Sequence, residues 1–166
     1  TGGIIDLNQN SSYIEIGGHS DGQSFGNTFL DAAIKEVTII SKSKVQNILF
    51  TEDNLNTEYF VFKPNQINSY NAKITFENNG IKLFRPNKYW LAINNNSDFS
   101  EDFEIILNLS FPQIPQMRQT LISNTSIING EVQSWKLEIV DGRLFFYWAD
   151  SEGCLLYTSD AADERN

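Results

Sequence analysis

The run Glu101-Asp102-Phe103-Glu104 gathers three carboxylates within four residues, and a pair of carboxylates is what glycoside hydrolysis requires. On an extended strand Asp102 and Glu104 would share a face. The same alternation is also what the solvated side of a half-buried strand looks like. No catalytic residue is therefore assigned, and the chain is not expected to be an enzyme. His19 is the only histidine and sits between Gly17-Gly18 and Asp21-Gly22. With no second histidine to complete a zinc site and no Ser/Asp pairing for a triad, it reads as a loop residue. Gly17, Gly18, Gly22 and Gly26 lack the Lys-Ser/Thr that follows a phosphate cradle and read as turn formers. Asp21, Asp98 and Asp150 could offer oxygen atoms to calcium, but they are scattered, and no metal site or cofactor is assigned. The aromatic residues remain. Sugar rings stack on flat apolar faces while their hydroxyls need polar neighbours, which makes Tyr147, Trp148 and Tyr89 the candidate ligand-binding residues.

These side chains need elements to position them. In 102–111, Phe103, Ile105, Leu107, Leu109 and Phe111 alternate with Glu104, Asn108 and Ser110, the clearest strand in the chain. Residues 134–140 alternate Trp135, Leu137 and Ile139 against Ser134, Lys136 and Glu138, then meet Asp141-Gly142 and the run 143–148. An Asp-Gly pair between two such runs predicts a tight hairpin, because its turn needs positive φ at both central residues. Alternate residues of Phe145-Phe146-Tyr147-Trp148 then face opposite sides, so one pair must be core. Further strands are expected at 3–7, 12–17, 33–41, 58–63, 70–76, 80–84, 88–93 and 119–123. Val45, Ile48 and Leu49 stand at helical spacing and predict a short helical turn over 43–49. Asn94 to Asn96 is expected to be a loop.

Composition narrows the partners. With 12 Phe, 6 Tyr and 3 Trp in 166 residues and only 4 Pro, packed strands are favoured over disorder. A net charge of -9 argues against nucleic acid as a partner, since phosphate binding needs clustered Lys and Arg. No apolar run of about 18 residues occurs, so membrane insertion by a helix is not expected. The start Thr1-Gly2-Gly3 is neither a Met start nor a signal peptide, and the N-terminus is expected to be cut.

Placed in order, the strands of residues 80–153 resemble the first half of a laminin-G-like sandwich of the concanavalin A-like lectin and glucanase superfamily. Gly80 to Phe84 and Tyr89 to Ile93 resemble its opening strands, Asp102 to Phe111 its long central strand, Gln119 to Ser123 the strand that follows, and Trp135 to Trp148 its Asp-Gly hairpin. Ser12 to Gly18 and Ala32 to Ile40 resemble the closing half of a preceding copy, although Ala32 stands where Gly is usual and Lys35 where Asp is usual. The run from Cys154, Cys-Leu-Leu-Tyr-Thr-Ser-Asp-Ala-Ala-Asp-Glu, resembles a translated adapter from transposon-based DNA library preparation. The expected organisation is thus 1–55 as the C-terminal half of one sandwich, 56–75 as linker or connecting strands, 76–153 as the N-terminal half of the next, and 154–166 as a non-native tail that holds the only cysteine.

The resemblance implies an all-β, antiparallel β-sandwich of the jelly-roll type, incomplete or circularly permuted, in which the two halves either share one core or form two incomplete sheets. It also implies a non-catalytic carbohydrate or cell-surface binding module of a phage tail-type structural protein or bacterial adhesin. Such a module lies outside the cell or on a virion surface, beside neighbouring sandwich repeats, and engages a glycan or host-surface polymer. Laminarinase-type glucanases of this superfamily carry a Glu-x-Asp-x-x-Glu strand, and 101–104 departs from that pattern. The alternatives are a structural spacer without ligand and a fragment of a carbohydrate-active enzyme.

Overall fold

The alternation at 102–111 forms a strand over Phe103–Ser110, with Phe103, Ile105, Leu107 and Leu109 turned to the core and Glu104, Ile106, Asn108 and Ser110 exposed. The computed structural model describes residues 13–18, 28–42, 44–62, 74–77, 80–97, 99, 102–128, 131–149 and 155–159. Within 125–134, 148–149 and 155–159 it describes the backbone only. The strands are β1 (Tyr13–Ile16), β2 (Ala32–Ser41), β3 (Lys44–Leu49), β4 (Tyr59–Phe62), β5 (Thr75–Glu77), β6 (Gly80–Leu83), β7 (Trp90–Asn94), β8 (Phe103–Ser110), β9 (Gln119–Ile128), β10 (Glu131–Val140), β11 (Arg143–Ala149) and β12 (Leu155–Ser159). The only helical element among the described residues is a 3-10 turn at Arg85–Asn87. The expected strand at 3–7 lies outside the described residues.

These strands form two antiparallel sheets. One has seven strands in the order β12-β11-β10-β9-β1-β7-β4, and the other is built on β2, which pairs with β3, β6 and β8, while β5 extends it beyond β6. β8 runs along β2 from Ala33 to Ser41. A strand has two edges, so β6, at Ala32–Ile34, and β3, at Glu36–Ser41, stand end to end on the other. Side chains from both sheets meet in one apolar cluster that includes Ile14, Ile34, Val37, Leu91, Leu121 and Trp135. The arrangement is therefore all-β and sandwich-like. Strands from before residue 55 are interleaved with later ones: β1 lies between β7 and β9, and β2 between β6 and β8.

Two local devices fit the sheets to this core. Leu137 pairs with Ile122 but Glu138 pairs with Thr120, so Leu121 is an extra residue in β9. This bulge lets consecutive residues Leu121 and Ile122 both reach the core. At the end of β1, Gly17 has φ +82, and a Cβ there would stand 2.4 Å from Leu83 Cδ1. Its N–H donates to the Leu121 carbonyl and its carbonyl accepts from Leu30 N–H, both at 3.0 Å. Gly17 thereby ties β1 to β9 and to the segment 28–30.

The Asp-Gly hairpin forms as the sequence predicts, with φ +49 at Asp141 and +73 at Gly142 and Val140 facing Arg143. The helical turn expected over 43–49 does not form. Lys44–Leu49 is a strand, paired with β2 from Ser41↔Lys44 to Glu36↔Leu49. Of the three apolar residues that suggested a helix, only Ile48 is buried, while Val45 is 69% exposed. An isolated helix of one or two turns pays an unfavourable nucleation cost, whereas here the edge of β2 supplies a partner for the whole segment. Leu155–Ser159 pairs with the outer edge of β11. That ladder draws on backbone groups that any sequence carries.

Candidate functional site

The face of the seven-stranded sheet turned away from the core carries both aromatic rings and paired charges. Cross-strand register aligns Ala92 of β7, Glu15 of β1, Ser123 of β9, Lys136 of β10 and Tyr147 of β11 in one row. Trp90, Glu138 and Phe145 share this face, because each lies two residues along its strand from a member of the row. On the β4–β7 side the face is aromatic. Phe29, Phe62, Trp90 and Ala92 form a second buried cluster, with Tyr13 and Phe60 packed against it. Tyr13 meets Phe62 edge to face at 5.4 Å, and Phe62 meets Trp90 at 6.1 Å. The Trp90 indole N–H donates to Glu15 Oε1 at 3.1 Å, which gives this buried carboxylate a partner.

On the β10–β11 side the face is charged. Glu138 is completely buried. Lys136, two residues earlier on the same strand, places Nζ 2.9 Å from Glu138 Oε1. Arg118 Nε approaches Oε2 at 3.5 Å, a long contact that leaves this oxygen without a hydrogen bond. Ser123 Oγ, opposite Lys136, is likewise buried and unbonded. Both cations lie over the Tyr147 ring, Lys136 Nζ at 5.2 Å and the Arg118 guanidinium carbon at 5.8 Å from its centroid. Phe145 stacks beside Tyr147 at 6.2 Å and 25°. Arg118 owes its position to the segment 112–118, which is pinned to the β10–β11 turn where Gly142 N–H donates to the Pro115 carbonyl at 3.0 Å.

The two carboxylates of this face do not make a facing pair. β9 separates β1 from β10, so the backbones of Glu15 and Glu138 lie on strands about 9.6 Å apart. The Trp90 indole draws Glu15 to the side away from β10.

The sequence-derived candidates fall in different places. Tyr147 sits on this face but is only 4% exposed beneath the two cations, so it is a wall of the cluster rather than an open platform. Phe145, beside it, is the half-exposed ring. Tyr89 lies elsewhere, lining a cleft of about 260 Å³ with Val61, Ile74, Lys82 and Phe84. The backbone of Trp148 pairs with Trp135 and Leu156, and its side chain lies outside the described residues. Asp102 and Glu104 are exposed on the other sheet, beside a wide hollow with Ile40, Lys42 and Phe103. His19, Gly22, Gly26, Asp21, Asp98 and Asp150 lie outside the described residues.

Sequence reasoning overlooked Glu138, Lys136, Arg118, Ser123 and Glu15. The alternation of 134–140 does place Lys136 and Glu138 on the face opposite Trp135. What it does not carry is the complete burial of Glu138 or the approach of Arg118 to it from a segment with no periodicity of its own. A scan against protein-family models finds no match for this chain, and searches of curated proteins and of solved structures return no significant match.

Proposed function

We propose that this chain is a non-catalytic glycan-binding module whose ligand rests on the outer face of the seven-stranded sheet, over Phe145 and the Arg118–Lys136–Glu138 cluster. One observation carries this reading: a half-exposed aromatic ring stands beside a compact set of fixed charged groups. Sugars are recognised by that combination, a ring against the apolar face of the pyranose and polar atoms against its hydroxyls. The two antiparallel sheets support assigning the fold to the concanavalin-like jelly rolls. By the resemblance in strand order, the module belongs to a tail-type virion protein or an adhesin and works on a virion or cell surface, among further sandwich repeats.

A glycan array probed with the whole chain tests the reading. Binding to one group of glycans is expected, and Phe145→Ala should weaken it at least tenfold with unchanged near-UV circular dichroism. A folded protein that binds nothing on a broad array would sink the proposal.

A further inference from the structure

We infer that Arg118 is a recognition residue for the carboxylate of an acidic sugar, an inference that rests on the glycan-binding reading above and names its ligand class. A guanidinium has five N–H donors in a planar fork. In Arg118 one edge of that fork is directed inward: Nε faces Glu138 Oε2 and Nη2 faces Tyr147 Oη, each at 3.5 Å. The guanidinium carbon lies 5.8 Å from the centroid of the Tyr147 ring below it. The opposite end, formed by Nη1 and the second hydrogen of Nη2, meets no partner among the described residues, and the side chain is 43% exposed.

The charge balance points the same way. Glu138 has its close ion pair with Lys136, at 2.9 Å, so among the described residues Arg118 is left with only its longer, 3.5 Å contact to Glu138. A planar carboxylate accepts two parallel N–H bonds from such a fork, a geometry that an ammonium cannot reproduce. Phe145 stands across from Glu138 on the neighbouring strand, so it is the ring that the inference assigns to the sugar whose carboxylate rests on Arg118. The matching ligand is therefore a uronic-acid residue. Because the chain carries a net charge of -9, general attraction of a polyanion is disfavoured, and recognition has to come from this local contact.

The test uses the full chain and calorimetry with uronate trisaccharides (galacturonate, glucuronate and mannuronate), their methyl esters, and maltotriose as a neutral control. At least one acid is expected to bind ten times more tightly than its own ester at 0.15 M salt. Arg118→Met should remove that preference, Arg118→Lys should restore only part of it, and Phe145→Ala should weaken acid and ester alike. Arg118→Lys also serves as the test variant if Arg118→Met does not fold. Equal binding of acid and ester, or a preference that survives in Arg118→Met, overturns the inference while leaving a glycan-binding module in place. No binding by any trisaccharide also overturns it. In that case the broad array separately decides the wider reading, because neutral hits there keep the module and an empty array removes both.

Discussion

Tyr59 is fully buried, its hydroxyl donates to the Thr51 carbonyl at 2.7 Å, and its ring meets Phe50 edge to face at 5.0 Å. Burial, and after it the nearby Glu52 carboxylate, push its ionisation well above the ordinary tyrosine range. In the unfolded chain a tyrosine ionises near pH 10. The contribution of Tyr59 is therefore complete below that value and is lost as pH rises above it, because only the unfolded state releases the proton there. Thermal melts should thus show a falling transition temperature above about pH 10. Tyr59→Phe should start about 1 kcal/mol less stable at neutral pH and decline less steeply. Parallel alkaline slopes for the two proteins would refute the assignment. At this scale the sequence was only partly legible. Tyr147 was picked out as an aromatic surface residue, yet its ring is roofed by Arg118 and Lys136. Residue type reveals that a ring can stack, but what covers it depends on register and on a distant segment.

Strands were legible where one face is buried and the other wet, because period-two alternation then appears directly in the residues. β8 is of this kind, and β10 shows the same alternation although Glu138 on its polar face is buried. β3 was not, since its apolar residues sit at 45, 48 and 49 with two of them exposed, and its extended form comes from pairing with β2 rather than from its own pattern. The β9 bulge was hidden for a similar reason, as it is defined only by the partner strand. Gly17 illustrates an element-level constraint that can be tested. Both its positive φ and the 2.4 Å approach to Leu83 oppose any side chain. Gly17→Ala should cost about 2–3 kcal/mol, read as a lower urea midpoint with unchanged slope. A loss below about 0.5 kcal/mol, the range of ordinary surface substitutions, would mean that the joint between β1 and β9 is softer than its geometry implies.

At the scale of the molecule, both sheets draw on the stretch before residue 55 and on the stretch after residue 76. Neither stretch can bury its apolar face alone. Residues 1–55 by themselves would leave Ile14, Ile16, Ile34 and Val37 without the partners they meet in the shared cluster, and an exposed strand edge with an apolar face favours association. Expressed separately, residues 1–55 and 56–166 should each lack a cooperative melt, and mixing them should restore strand-type circular dichroism with a single transition. Independent folding of either piece would contradict a common core. The class of the fold was readable from strand composition and spacing. The interleaving was not, because which strands become neighbours is decided by long-range pairing that leaves no local trace.

The position of β1 also governs the order in which the protein can be made. Glu15 of β1 finds its backbone partners in Ala92 of β7 and Ser123 of β9, so the ladder of β1 cannot close until strands far along the chain have been made. Contacts so distant along the chain make folding slow, and the waiting segment is apolar. Production of this chain should therefore be more sensitive to the supply of chaperones, and to the pace of translation, than that of a fold built from local pairings.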